Sequence, residues 1–206
     1  MERPKPLVVV TVGTDHHPFP TLIGWMDAWA ASHPEVRCVI QYGMSPPPRD
    51  AEGIAIIARP TLLALMSQAT AVVSQAGPGS IRDARQVGLV PIVTPRSAAR
   101  GEVVDDHQVD FAEAMVVLGE ALLARTLPEL ERHLAQALAD PESVRKPPHE
   151  SPAHDTAMTI DHLLQEVTMQ GAGWLTAHRL LQAARPARRH PRGLAAPGAR
   201  ASDVAR

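Results

Sequence analysis

The sequence predicts an α/β protein with a doubly wound, mostly parallel sheet, followed by a C-terminal helix and a basic tail. Three observations predict it. Runs such as "LVVVTV" (7–12) and "TAVVS" (70–74) are short, β-branched and continuously apolar, as strands buried on both faces are. Segments of helical spacing alternate with these runs along the chain. Glycine- and proline-bearing turns separate the two kinds of segment. With 206 residues, one such domain has an adequate core once the polar tail is discounted.

The first strand, 7–12, ends in "GTDHHPFP". A helix is expected over 21–31, where Leu22, Ile23, Met26 and Trp29 share one face at i, i+3, i+4 spacing. "VRCVIQYG" reads as the second strand, closed by the turn-rich "MSPPPRDAEG". "IAII" (54–57) reads as the third, and Pro60 or Thr61 opens the next helix. "TAVVS" is the fourth strand and "SIRDARQVG" a helix stopped at Gly88. "LVPIVTP" is the fifth strand, and "DDHQVDFAEAM" starts another helix. A short "MVVL" segment and a helix over 127–139 close the domain near Arg145. The expected organisation is a half-domain over 1–145, a linker over 146–156, a helical segment over 157–183 and a disordered basic tail over 184–206. Met158, Ile160, Leu163, Leu164 and Val167 give that helical segment an apolar stripe, which packs on the parent domain or on a partner.

Composition narrows the function. Aromatic residues make up only 3%, which argues against stacking platforms for single-stranded nucleic acid. Cys38 is the single cysteine, so neither an intrachain disulfide nor CxxC metal chemistry is available, and a reducing cytosol fits best. Nowhere do about 18 apolar residues run together as a membrane span requires. The charge is polarised: residues 179–206 carry seven arginines against one acid, whereas the remainder carries 13 basic and 21 acidic residues. The tail reads as solvated, with attraction to anionic lipid head groups, worth about 1 kcal/mol per basic residue, as the sharper alternative.

In a doubly wound sheet, ligands bind at the carboxyl ends of the strands. That singles out "VGTDHHP", "SQAGPGS" and "TPRSAARGEVVDDHQ". A glycine loop opening a helix presents unpaired N–H groups and the positive end of the helix dipole, a ready anion site. "AGPGS" offers this at Gly77, Gly79 and Ser80. Ordinary turn and capping chemistry explains the same residues, because Gly77-Pro78 is a turn dipeptide and Ser80-x-x-Asp83 has capping-box spacing. Neither GxGxxG nor a P-loop is present.

Taken together and in order, "VVTVGTDHHPFPTLI", "VVSQAGPGSIRDARQVGLVPIVTP" and "DDHQVDFAEAM" resemble the C-terminal, nucleotide-sugar-binding half of glycosyltransferase family 28, a GT-B fold. The likeness spans residues 7–140 and is greatest to stand-alone members: the catalytic subunit of two-part N-acetylglucosaminyltransferases and the small subunit of bacterial exopolysaccharide glycosyltransferases. The resemblance implies inverting transfer of a hexose-type sugar from a UDP-sugar, with no cofactor and no obligatory metal. It implies that Gly13, Thr14, Gln75, Gly77, Gly79 and Ser80 hold the donor diphosphate, that Asp83 binds the ribose, and that His107 and Gln108 contact the donor sugar. Departures are Gln75, where the family commonly has His, Asp83, which is shorter than the usual Glu, and Asp106, where Asn is usual. Arg96 or Arg100 in "RSAARGEVV" is a further candidate for phosphates or an acidic sugar.

His16 and His17 invite metal or general-base readings, but beside Asp15 alone they make a poor zinc signature, and they stand as weak base candidates. A GT-B site lies between two α/β halves and one is encoded, so the resemblance implies a membrane-anchored, acceptor-binding partner subunit, a lipid-linked acceptor, and a cytoplasmic location at the inner membrane face. The alternative is a non-catalytic nucleotide-sugar sensor or scaffold. An epimerase of the same fold needs both halves in one chain and is set aside.

Overall fold

The computed structural model describes residues 5–103 and 107–148. Among the described residues the six strands are β1 (Leu7–Thr11), β2 (Arg37–Gln41), β3 (Glu52–Ile54), β4 (Ala71–Gln75), β5 (Ile92–Thr94) and β6 (Leu122–Leu123). The helices between and after them are α1 (Pro20–Ser32), α2 (Arg59–Gln68), α3 (Pro78–Gln86), α4 (His107–Val117) and α5 (Leu127–Ala139). All strand pairings are parallel, in the order β3-β2-β1-β4-β5-β6. Every residue of β1 and β4 is buried, which their continuous apolar runs require of strands covered on both faces.

Local sequence explains the helix limits. Pro20 sits in the first turn of α1, where its missing N–H is one of the unpaired donors in any case, and Leu22, Ile23, Met26 and Trp29 are buried as the spacing predicts. Helix α3 ends in a full Schellman motif: Gly88 adopts φ +82°, its N–H donates to Arg85 O at 3.1 Å, and Leu89 N–H donates to Ala84 O at 3.0 Å. At α5, Thr126 and Glu129 form a reciprocal capping box, and Leu130, Leu134 and Ala137 repeat at i, i+4, i+7 on its buried face.

Two elements differ from the sequence expectation. The third strand is Glu52–Ile54, paired with Val39–Gln41, so it begins two residues before "IAII" and shares only Ile54 with it, and all three of its residues are exposed at the sheet edge. Of "IAII", Ile57 is buried in the core and Ile56 faces solvent. The "MVVL" segment is the end of α4 and the turn after it, and its Val116, Val117 and Leu118 are exposed; the sixth strand comes later, at Leu122–Leu123.

The chain after α5 returns across the sheet end. Val90 N–H donates to Val144 O at 2.8 Å and Lys146 N–H to Gly88 O at 3.0 Å. Arg85, buried, bonds both Glu120 at 2.7 Å and Pro147 O at 3.1 Å, tying this strap to α3. The remainder of the linker from residue 149, the helical segment over 157–183 and the basic tail over 184–206 lie outside the described residues. Among the described residues, no helix is long and apolar enough to cross a membrane.

Candidate functional site

Strand order reverses between β1 and β4, because β2 lies outside one and β5 outside the other. The crevice at such a switch point opens at the strands' carboxyl ends, between the loop after β1 and the loop after β4. The sequence places "VGTDHHP" and "AGPGS" there.

Gly13 begins the first loop with φ +74°, a left-handed conformation that costs a side-chain-bearing residue about 1–2 kcal/mol. Its N–H donates to Thr11 Oγ1 at 3.2 Å, and its carbonyl accepts from Gln41 Nε2 at 3.4 Å. Thr11 Oγ1 in turn donates to Gln41 Oε1, so the polar ends of β1 and β2 lock the loop's first residue. Across the switch point, Gln75 ends β4 and fills the space between the two loops. A Cβ at Gly13 would lie 2.3 Å from Gln75 Nε2, and one at Gly77 would lie 3.0 Å from it. Both glycines are therefore needed for the same amide to fit. Gly13→Ala is expected to lower stability by about 1–2 kcal/mol through its φ angle alone and to displace Gln75, as urea unfolding and amide NMR shifts would show.

The second loop feeds α3. Gly77 is the N-cap, in extended conformation, and no side chain caps the helix. Pro78 has no N–H, and Ile81 N–H is the first to close a helical turn, onto Gly77 O at 3.2 Å. The N–H groups of Gly79 and Ser80 thus precede any intrahelical acceptor and face outward at the positive end of the dipole. A Cβ at Gly79 would meet no heavy atom within 4 Å, so the approach to these groups is open. The Ser80–Asp83 capping box does not form: the helix begins at Pro78, three residues earlier than that spacing requires, and Ser80 is its third residue.

Asp83 lies inside α3 with its side chain 11% exposed, and both of its oxygens accept from Arg59 at the start of α2, the shortest contact being 2.8 Å. Arg59 also donates to Gln86 Oε1 at 3.0 Å, and the pairing with Asp83 raises the Arg59 pKa. A carboxylate has about four lone-pair sites, so Arg59 leaves part of the accepting capacity of Asp83 open.

Arg96, after β5, is 1% exposed. Its Nη2 donates to Val12 O at 3.2 Å and His17 O at 3.1 Å, its Nη1 lies 3.7 Å from Asp15 Oδ2, and its guanidinium lies 5.2 Å from the Phe19 ring centroid. Burial pulls its pKa down, against the pull of Asp15 and Glu102. This arginine is consequently a clamp on the loop after β1 and does not stand free for phosphate. Arg100 is exposed and lies 5.6 Å from the Trp25 ring centroid. Gln108 Oε1 accepts from Arg96 N–H at 3.4 Å, joining the start of α4 to the same clamp. His107 opens α4, while Asp106 lies outside the described residues.

Asp15 Oδ1 accepts from His17 N–H at 2.8 Å, and the imidazole Nδ1 atoms of His17 and His16 lie 2.8 and 3.3 Å from the same oxygen. The His17 N–H bond, outweighing the cost of burial and joined by the charge of Arg96, holds the Asp15 pKa below the ordinary carboxylate value.

The fold therefore brings Gly13, Gln75 and Gly77 together at the switch point. It leaves Thr14 and Gly79 exposed and Ser80 half-buried at the start of α3, and ties Gln108 in through Arg96. Sequence reasoning missed Thr11, Gln41 and Arg59. The signal for the first two was a polar residue ending each apolar strand run, at the sheet edge where ligands bind. Arg59 becomes significant only through a partner 24 residues away.

The family described as glycosyltransferase family 28 C-terminal domain matches residues 7–163. No curated protein matches by sequence. Among solved structures, the glycotransferase of kitacinnamycin is 20% identical with TM-score 0.53, over 90% of this chain and 46% of its own. MurG of Acinetobacter baumannii is 17% identical with TM-score 0.49, over 70% and 44%, and ALG13 is 19% identical with TM-score 0.46, over 78% and 94%. The chain thus spans less than half of the first of these. The parallel sheet, the loops at its switch point and the match over most of the chain agree: this protein belongs to the glycosyltransferase family 28 C-terminal domain family.

Proposed function

We propose that this chain is the donor-binding part of an inverting glycosyltransferase. In this reading it binds a UDP-sugar, and a hexose-type sugar passes to a lipid-linked glycan or polysaccharide precursor held by a second, membrane-associated subunit at the inner membrane face. The observation that carries the reading is the uncapped, unobstructed start of α3 facing Gly13 across Gln75 at the switch point. Fixed N–H groups there would stabilise the charge that builds on the leaving diphosphate, with no reorganisation at the moment of reaction. Asp83 would accept from the ribose hydroxyls beside Arg59, and Gln108 and His107 would meet the donor sugar.

The non-catalytic alternative draws on Gln75, a neutral amide between the two loops, whose Oε1 is buried without a partner. Single-turnover transfer from a radiolabelled UDP-sugar, with and without membranes carrying the acceptor subunit, separates the readings: a sensor transfers nothing in either case.

The ribose role has its own test. Asp83→Asn is expected to weaken UDP binding about tenfold or more, the value of a hydrogen bond to a charged group, while leaving inorganic pyrophosphate binding unchanged. Calorimetry with both ligands reads this directly. Equal losses for both would mean that Asp83 supports the loop and does not contact the ribose.

A further inference from the structure

The geometry points to a divalent transition-metal site on Asp15, His16 and His17, in the loop that follows β1. It goes beyond the nucleotide-sugar reading, which requires no metal, and its first test does not depend on that reading.

One ligand atom from each of the three side chains lies within 4.8 Å of the others. Asp15 Oδ1 is the hub, 3.3 Å from His16 Nδ1 and 2.8 Å from His17 Nδ1. Ligands held about 2.0–2.1 Å from a tetrahedral ion stand about 3.3 Å apart, so small rotations of exposed side chains would admit one. His16 is 84% exposed and free to make that adjustment.

The surrounding bonds hold the array in place. Arg96 lies against the other Asp15 oxygen, at 3.7 Å, which leaves Oδ1 turned toward the imidazoles. The same arginine donates to His17 O, and His17 N–H donates to Asp15 Oδ1, so the backbone of His17 is held through both its carbonyl and its N–H. Supporting contacts of this kind orient ligating carboxylates in metal sites. Two imidazoles with one carboxylate select zinc, cobalt or nickel over magnesium and calcium, which prefer all-oxygen shells. The guanidinium charge opposes any cation and keeps the site weaker than a structural zinc centre. Three protein ligands leave coordination positions for solvent or an anionic ligand. Because Thr14 and Gly13 directly precede the triplet, the proposal's second part, which rests on the nucleotide reading, is that a bound ion strengthens UDP binding.

The experiment is a titration of the untagged, metal-free full chain with Co²⁺, read by its visible d–d absorption. The wild-type chain is expected to saturate near one ion per chain. His16→Ala with His17→Ala should lose the signal, and Asp15→Asn, which retains an acceptor for His17 N–H, should weaken it at least about tenfold. Unchanged thermal unfolding of metal-free protein shows that the variants fold. No saturable signal, or a full signal in the double variant, would overturn the site. The same titration with UDP present tests the second part: tighter UDP binding with Co²⁺ in wild type alone supports it, and equal affinity with and without the ion overturns it while leaving the metal site standing.

Discussion

Replacing Gly79 with glutamate is expected to reduce affinity for UDP by about a hundredfold or more. Unfavourable juxtaposition of like charges costs several kcal/mol, and each 1.4 kcal/mol is tenfold in affinity. The new carboxylate would enter the space before the N–H groups of Gly79 and Ser80, where the proposed function puts the diphosphate. The folded state should tolerate the change, because a Cβ at this position meets nothing within 4 Å and an acid in the first turn of a helix suits its dipole. Calorimetry for affinity and urea unfolding for stability should therefore diverge: binding lost, midpoint held or slightly raised. Gly79→Ala, which adds the Cβ without charge, should keep most of the affinity.

Arg96→Met is expected to act in the opposite way, through the fold. Methionine keeps the apolar stem against Phe19 but leaves Val12 O and His17 O without their donor, and each buried unpaired group costs about 1–3 kcal/mol. The expected loss is about 2–4 kcal/mol in urea unfolding, with the loop after β1 freed from the end of β5. UDP affinity should fall with it, because Gly13 and Thr14 would no longer be held. A variant as stable as wild type would remove Arg96 from the role of clamp.

The sequence made the loops legible and their side-chain pairings much less so. Continuous apolar runs followed by Gly-Thr and Gly-Pro-Gly marked β1 and β4 and the two turns after them, and the observed order puts those turns side by side. The capping reading of Ser80 failed because Pro78 fits the first turn of a helix and moves the start of α3 upstream. The same spacing logic applied to Thr126 and Glu129 would have found the capping box that does form. Arg96 read as a candidate for phosphates or an acidic sugar; the contacts that bury it, with Val12 O, His17 O and the Phe19 ring, come from residues far away in sequence. Asp83 read as an open carboxylate because Arg59 belongs to a different helix. The third strand was placed late because apolar "IAII" outweighed "EGI", whereas an edge strand needs only backbone pairing with β2.

The central claim is that the start of α3 and the loop after β1 together hold a nucleoside diphosphate. Titration of UDP into the wild-type chain and into Gly79→Glu, side by side in one calorimeter, tests it most directly. The prediction is saturable binding of one UDP per wild-type chain and none measurable in the variant. Equal binding by both, or none by the wild type, would contradict it.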